Sequence, residues 1–328
     1  MGNRLIWVDQ AKGIGIFLMI YAHNFPITEA YIYSFHMPLF FLISGMFHPS
    51  QSNKQSIIHR FKAIIIPYFI WSSFLYLFWF FLGRHYGDSA LKLYDPIKNF
   101  IGIFYAQGDV QFMNWGIPMW FLPCIFLTFV FYSIIQKIQN VYLKYFILIS
   151  LIIFGFIYPR ISDFHLPWSI DIACVSLVFY KTGNIIKNTL PVLLNKKLKG
   201  FIFLLAAIHF SLVFFNSKID MYRSIYGNEI LFIINGLSGS ILVLLLCKLI
   251  KFPKILSYLG KHTIPLLALQ ARALTVIKFC LVLAGITVFN FNEPTKFFLT
   301  FLQILLIIPV IIFINKYAPL LDGKPNKK

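Results

Sequence analysis

The stretch RLIWVDQAKGIGIFLMIYAH (4–23), followed after a short loop by SFHMPLFFLISG (34–45), decides the fold. Each run is continuously apolar rather than alternating. Only helices and closed barrels satisfy their backbones in lipid, and a continuous run is a helix pattern. Working outward, runs long enough to cross a bilayer, about 20 residues each, recur along the whole chain. With the first pair taken as about 5–25 and 31–48, they continue at 63–83, 115–135, 141–158, 167–186, 199–216, 229–250, 263–288 and 295–315. The expectation is an all-α integral membrane bundle of about ten transmembrane helices, one domain over residues 1–328.

Composition agrees. The chain is 59% hydrophobic and 12% charged, against about 25% charged for soluble domains. The net charge of +18 does not make a nucleic-acid surface, because the basic residues fall in short islands between apolar runs. With the N-terminus in the cytoplasm, nineteen Lys and Arg fall in inner segments and seven in outer loops, with eight of the eleven acids outside. That asymmetry orients the bundle with both termini cytoplasmic. The inner set runs from Arg4 and Lys12 through Lys196, Lys197 and Lys199 to Lys327 and Lys328. The outer segment 84–114 includes Asp88, and its apolar part, 97–105, reads as a short interfacial or re-entrant piece. Cys124, Cys174, Cys247 and Cys280 sit in apolar segments with no CxxC or metal spacing, so neither disulfides nor a metal are expected. No cleavable signal peptide, phosphate loop or internal repeat is visible.

Ionisable groups inside membrane helices are costly and therefore candidates for function. Lys12 and His23 are eleven residues apart, three helical turns, on one face and about 16 Å apart. Asp9, one turn before Lys12, is placed to hold its ammonium. Asp9 is about 21 Å from His23 along the axis, which excludes a dyad between them. His36, at the start of the second segment, is expected at the depth of His23 on an adjacent helix. Two facing histidines beside a buried cation suit acid–base work. Glu29, in the loop between them, could orient His23 or meet a hydroxyl. Ser44 and Gly45 permit close helix approach. Asp171 needs a partner, and Arg272 is the expected one, in a structural ion pair. His209 reads as a packing residue, His48 and His262 as interfacial, and Trp115 and Trp120 as interfacial aromatics.

These two blocks resemble the N-terminal signature of the membrane acyltransferase family 3, within it the branch of fucose 4-O-acetylase-like proteins and other polysaccharide O-acetyltransferases. HRFKAIIIPYFIW (59–71), MWFLPCIFL (119–127), WSIDIACVSLVFYKTGNII (168–186), LSYLGKHTIPLLAL (256–269) and INKYAPLLDGK (314–324) extend the resemblance over nearly the whole chain. It implies acyl transfer, usually acetyl from acetyl-CoA, to a hydroxyl of an extracytoplasmic sugar, with no metal. The family's basic residue followed by histidine matches Lys12 and His23, with lysine where many members have arginine. Its basic cluster before the third helix matches Arg60 and Lys62, on the cytoplasmic side where CoA phosphates would arrive. Many relatives have histidine where this chain has Gln270.

The expected function is therefore a membrane O-acetyltransferase moving acetyl from cytoplasmic acetyl-CoA to a cell-surface or capsular polysaccharide, or to its lipid-linked precursor. His23 and His36 are the expected catalytic residues. Lys12, Arg60 and Lys62 would hold the donor, and Asp9, Glu29, Ser44, Asp171 and Arg272 support them. The place is a bacterial cell membrane. The partners are the glycan or lipid-linked sugar and membrane lipids, with no nucleic acid, and a homo-oligomer is compatible with the sequence. The alternative is a transporter or flippase moving a solute or lipid-linked sugar without chemistry.

Overall fold

A computed structural model describes residues 5–85, 92–193, 198–286 and 289–324, with side chains of 188–193, 198 and 199 left out. Arg4, Asp88, Lys196, Lys197, Lys327 and Lys328, used above for orientation, lie outside the described residues, and so does the side chain of Lys199. The regular structure of the described residues is helical, apart from one isolated bridge between Asp220 and Ile225.

Seven of its helical segments are long and apolar enough to cross a membrane: Lys54–His85, Ile117–Gln136, Val141–Ile161, Pro167–Lys187, Glu229–Leu249, Thr263–Leu283 and Glu293–Tyr317. The other three expected runs are helical but shorter. The first is α1 (Ile6–Ala22), 17 residues. The second breaks at Ser34 and Phe35 into α2 (Glu29–Tyr33) and α3 (His36–Met46). Eleven residues of α3 rise about 16 Å, roughly half the hydrocarbon thickness. The third gives an apolar helix over Gly200–Phe215. Apolarity alone does not separate a helix matched to lipid from one buried among other helices. Nine of the eleven α3 residues are buried by protein.

The remaining elements are α4 (Lys54–Phe81), α5 (Pro96–Tyr105), α6 (Val110–Met113), α7 (Phe121–Gln136), α8 (Val141–Ile161), α9 (Ile170–Leu193), α10 (Leu198–Leu212), α11 (Glu229–Leu249), α12 (Lys254–Lys261), α13 (Thr263–Leu283) and α14 (Glu293–Tyr317). α1 and α3 occupy the centre. α1 packs on α12, α11, α3 and α13, and α3 packs on α9 and α11. α8 is peripheral. Only Leu148 and Gly155 of its residues are buried, while Phe146, Ile149, Ile153 and Ile157 face outward, as suits a lipid-facing helix.

Small residues set the central contacts. A Cβ on Gly45 of α3 would lie 1.9 Å from the Tyr180 carbonyl oxygen of α9, and one on Gly183 of α9 would lie 1.9 Å from the Leu42 oxygen of α3. The two backbones therefore touch, the small-residue packing that membrane helices use. A Cβ on Gly260 of α12 would likewise lie 1.7 Å from the Asp9 oxygen of α1. These contacts hold α3 against α9 and α1 against α12. At Gly15 of α1, whose Cβ would lie 3.0 Å from the Phe40 ring, α1 lies against α3, which sets His23 and His36 relative to each other.

The segment 97–105 lies within α5, capped by Asp95, whose carboxylate accepts from the Ile97 amide at 2.7 Å. It turns Asn99, Gly102 and Ile103 inward, with Phe100, Ile101 and Phe104 exposed. Trp115 is not interfacial: it is fully buried, and its indole donates to the Asn99 oxygen at 2.9 Å.

Candidate functional site

His23 caps the C-terminus of α1, and His36 opens α3. Both face one cavity of about 340 Å³, within the usual size of ligand pockets. Its floor is Met19, Met37, Phe121 and Leu267, with Ile117, Pro118 and Trp120 along one side. Gln270, Ala271 and Leu274 bring α13 to the wall. The mouth carries Phe25, Glu29, Tyr33, Lys218, Asp220, Tyr222 and Arg223. An apolar floor with two imidazoles and a polar, aromatic mouth suits a small group reacting inside a larger hydroxylated molecule.

The two histidines are held differently. His36 Nδ1 lies 2.9 Å from the Ile32 carbonyl oxygen. A carbonyl only accepts, so Nδ1 carries the proton and Nε2 of the neutral ring is left as an acceptor. His23 is partly open to the cavity, its Nδ1 is buried without a partner, and the Gln270 side chain lines the same cavity, its Oε1 also buried without a partner. Gln270 is held in turn. Its backbone oxygen accepts from Gln303 Nε2 at 2.9 Å, and Gln303 Oε1 accepts from Asn24 Nδ2 at 2.8 Å. Asn24 Nδ2 also lies 3.0 Å from Thr300 Oγ1, tying the end of α1 to α14.

The mouth is built by a turn in the segment between α10 and α11. Over Asp220–Ile225 the chain reverses, with reciprocal backbone bonds between Asp220 and Ile225 at 2.7 and 3.0 Å. Ser224 has φ of 56°, the left-handed region. Its hydroxyl donates to Asp171 Oδ2 at 2.5 Å, pinning the turn to the first turn of α9. Arg223 Nε lies 3.8 Å from Asp220 Oδ2, and its guanidinium sits 5.0 Å over the Tyr222 ring. Burial pushes the Asp220 carboxyl up to about 6, against the pull of Arg223 and Lys218. The DMYRSI stretch has no helical or strand period, so its only sequence signal was charged and aromatic residues crowded into a short loop.

The expected ion pair between Asp171 and Arg272 is not made. Asp171 serves Ser224, whereas Arg272 Nη2 donates to the Trp115 oxygen at 3.1 Å and lies 5.8 Å from the Phe78 ring. A carbonyl and an aromatic face satisfy a buried guanidinium without a carboxylate.

At the opposite end of α1, Lys12 Nζ lies 3.2 Å from Asp9 Oδ1. Arg60 and Lys62 do not precede the helix of the third expected run but form part of it, because α4 begins at a capping box between Asn53 and Ser56. Two residues apart on a helix, they face opposite ways. Arg60 Nη2 donates to Ser44 Oγ at 2.5 Å and its guanidinium lies 5.6 Å from the Phe129 ring, while Lys62 is exposed. The structure thus brings Arg60 to α3 and does not bring Lys62 with it. Arg60 Nε is buried with no partner. His48 is buried rather than interfacial, 2.9 Å from the Tyr180 hydroxyl. His262 is buried too, its Nδ1 2.6 Å from Asp322 Oδ2. His209 lies among the Tyr31 and Phe35 rings.

A family model described as an acyltransferase domain matches residues 5–315. The chain belongs to the acyltransferase 3 family. The match takes in α1, α3, the Asp220–Ile225 turn and α13, so every wall of the cavity lies inside this acyltransferase domain. No curated protein and no solved structure matches the chain. Among the described residues, no three His, Cys, Asp or Glu side chains are grouped to hold a metal.

Proposed function

We propose that this acyltransferase moves acetyl from acetyl-CoA to a hydroxyl of a cell-surface or capsular polysaccharide, or of its lipid-linked precursor, in a bacterial cell membrane. The observation that carries this reading is the single cavity that unites His23, His36 and Gln270 under a mouth of Tyr33, Asp220, Tyr222 and Arg223. With both termini cytoplasmic, the mouth faces outward and Lys12 and Arg60 lie at the inner end. Aromatic faces and paired charges at the mouth suit a sugar, whose ring stacks and whose hydroxyls both donate and accept.

His23 acts as general base. It takes the proton of the sugar hydroxyl as that oxygen attacks the thioester carbonyl. The carbonyl π bond opens to an oxyanion, which collapses with loss of the C–S bond. The proton then passes to the departing thiolate, so the products are the sugar ester and free CoA. His36, with Nε2 as an acceptor, takes a hydrogen bond from a neighbouring hydroxyl of the sugar and so orients the acceptor. Its tautomer offers no proton for the oxyanion, which favours orientation over oxyanion stabilisation. Arg60 and Lys12 receive the CoA phosphates. Lys62, facing away from Arg60, contributes long-range charge.

The test is release of free CoA by purified protein given acetyl-CoA and de-O-acetylated host glycan. A general base contributes roughly 10²–10⁴-fold, so His23→Ala should lose at least that much turnover while still binding acetyl-CoA. His36→Ala should lose less. Wild-type turnover in folded His23→Ala would remove His23 from the mechanism. Unchanged acetyl-CoA affinity in Arg60→Ala would remove the donor role of Arg60.

A further inference from the structure

A second cavity, of about 240 Å³, adjoins the first. Arg223 lines both, standing in the wall between them. The second cavity has a different chemistry. Apart from Arg223, its polar groups are Ser162, Asp163, His165 and Asp171, with Tyr158 and Pro159 as flat faces. Carboxylates only accept, guanidinium only donates, and imidazole and hydroxyl do both. That set matches a ring bearing several hydroxyls and suits neither an acyl chain nor a thioester.

Side chains fix the loop that forms this cavity. The Tyr158 hydroxyl donates to the Phe164 oxygen at 2.7 Å, and that of Tyr105 donates to the His165 oxygen. The Trp168 indole donates to the Phe104 oxygen at 2.7 Å. Asp171 anchors Ser224 and so ties the rim of the second cavity to the turn that roofs the first. A site this well held before binding loses little freedom when a ligand orders it.

We infer that the second cavity is an acceptor subsite: it takes the sugar unit next to the one being acetylated, and Arg223 bridges the two units. This rests on the acetyl-transfer reading above. Alone the second cavity is below the usual size of ligand sites, about 300–1,000 Å³, so it suits one part of a ligand held mainly in the first, with Arg223 lining both. The acceptor is therefore a chain of at least two sugar units, not a monosaccharide.

The experiment uses full-length protein in lipid nanodiscs, acetyl-CoA, and a ladder of one to four sugar units prepared from the de-O-acetylated host glycan. The readout is the ratio of kcat/KM for the disaccharide to that for the monosaccharide. This ratio cancels the fraction of active protein, so partial misfolding does not distort it. In wild type it should be roughly tenfold or more, the effect of one hydrogen bond to a charged group. In His165→Ala and in the isosteric Asp163→Asn it should fall towards one. A wild-type ratio near one, or a ratio unmoved in both variants, overturns the subsite. Acetylation of no saccharide of any length overturns the acetyl-transfer reading itself, a separate failure.

Discussion

Asp220 is the mouth residue whose chemistry should be visible in solution. Burial holds its carboxyl up to about 6, so it is ionised above that pH and takes up a proton as pH falls through it. The protonated group loses its charge and much of its strength as an acceptor for a sugar hydroxyl. The KM for glycan should therefore rise below about pH 6, and the rise should be absent in Asp220→Asn, measured by CoA release across pH 5–8. Asn24 gives a second expectation. Its amide reaches both Gln303 and Thr300 in the interior, and removing one partner leaves the others unsatisfied at about 1–3 kcal/mol each. Asn24→Ala should lower thermal stability and, through Gln303, loosen Gln270 opposite His23. At this scale the sequence was legible where helical spacing speaks. Lys12, His23 and His36 stood out because charge inside an apolar run is rare, and Gln270 stood out against a family block. Asn24, Gln303, Tyr222 and Arg223 did not. Amides in apolar helices look like tolerated polarity, and a residue in a reversing turn belongs to no period. The partner of Asp171 was not legible for a related reason: a buried carboxylate calls for a cation, whereas its actual partner, Ser224, is a neutral residue in a distant loop.

At the scale of elements, the site depends on how closely α3 lies on α9. Gly183→Ala would place a methyl 1.9 Å from the Leu42 oxygen, and backbone cannot yield as a flexible side chain can. The two helices must separate, which shifts His36 at the far end of α3. Folded yield after detergent extraction should drop severalfold, and what remains should show a higher glycan KM. The conservative change Ser44→Ala, which removes only the acceptor for Arg60, should leave folding nearly intact and act on acetyl-CoA affinity. Helix positions were readable from apolar runs, and each expected run is helical. Helix lengths were not readable. α3 is apolar because helices surround it, and α1 for the same reason on most of its faces. Composition registers burial without naming lipid or protein as the medium. The basic cluster at Arg60 and Lys62 likewise read as a loop before a helix, because the Asn53–Ser56 capping box that starts α4 lies a full turn and more upstream of it.

For the whole molecule, the proposed reaction needs an inner, basic end for the donor and an outer mouth for the acceptor, with His23 and His36 between. The orientation makes its own prediction. Single-cysteine probes at Asp95, Asp163 and Asp220 should react with an impermeant maleimide added from outside, and a probe at Asn53 should not. The reverse pattern would move donor and acceptor to each other's sides. Membership of the acyltransferase family and the shared cavity make acyl transfer the chemistry, and the proposed acceptor is a surface glycan. The most direct measurement is mass spectrometry of the host's surface glycan from three strains: wild type, a deletion of this gene, and the deletion carrying His23→Ala protein shown to be present in the membrane. An acetyl mass increment is expected in the wild type alone, absent from the other two. Glycan with the same acetyl content in all three strains would contradict it.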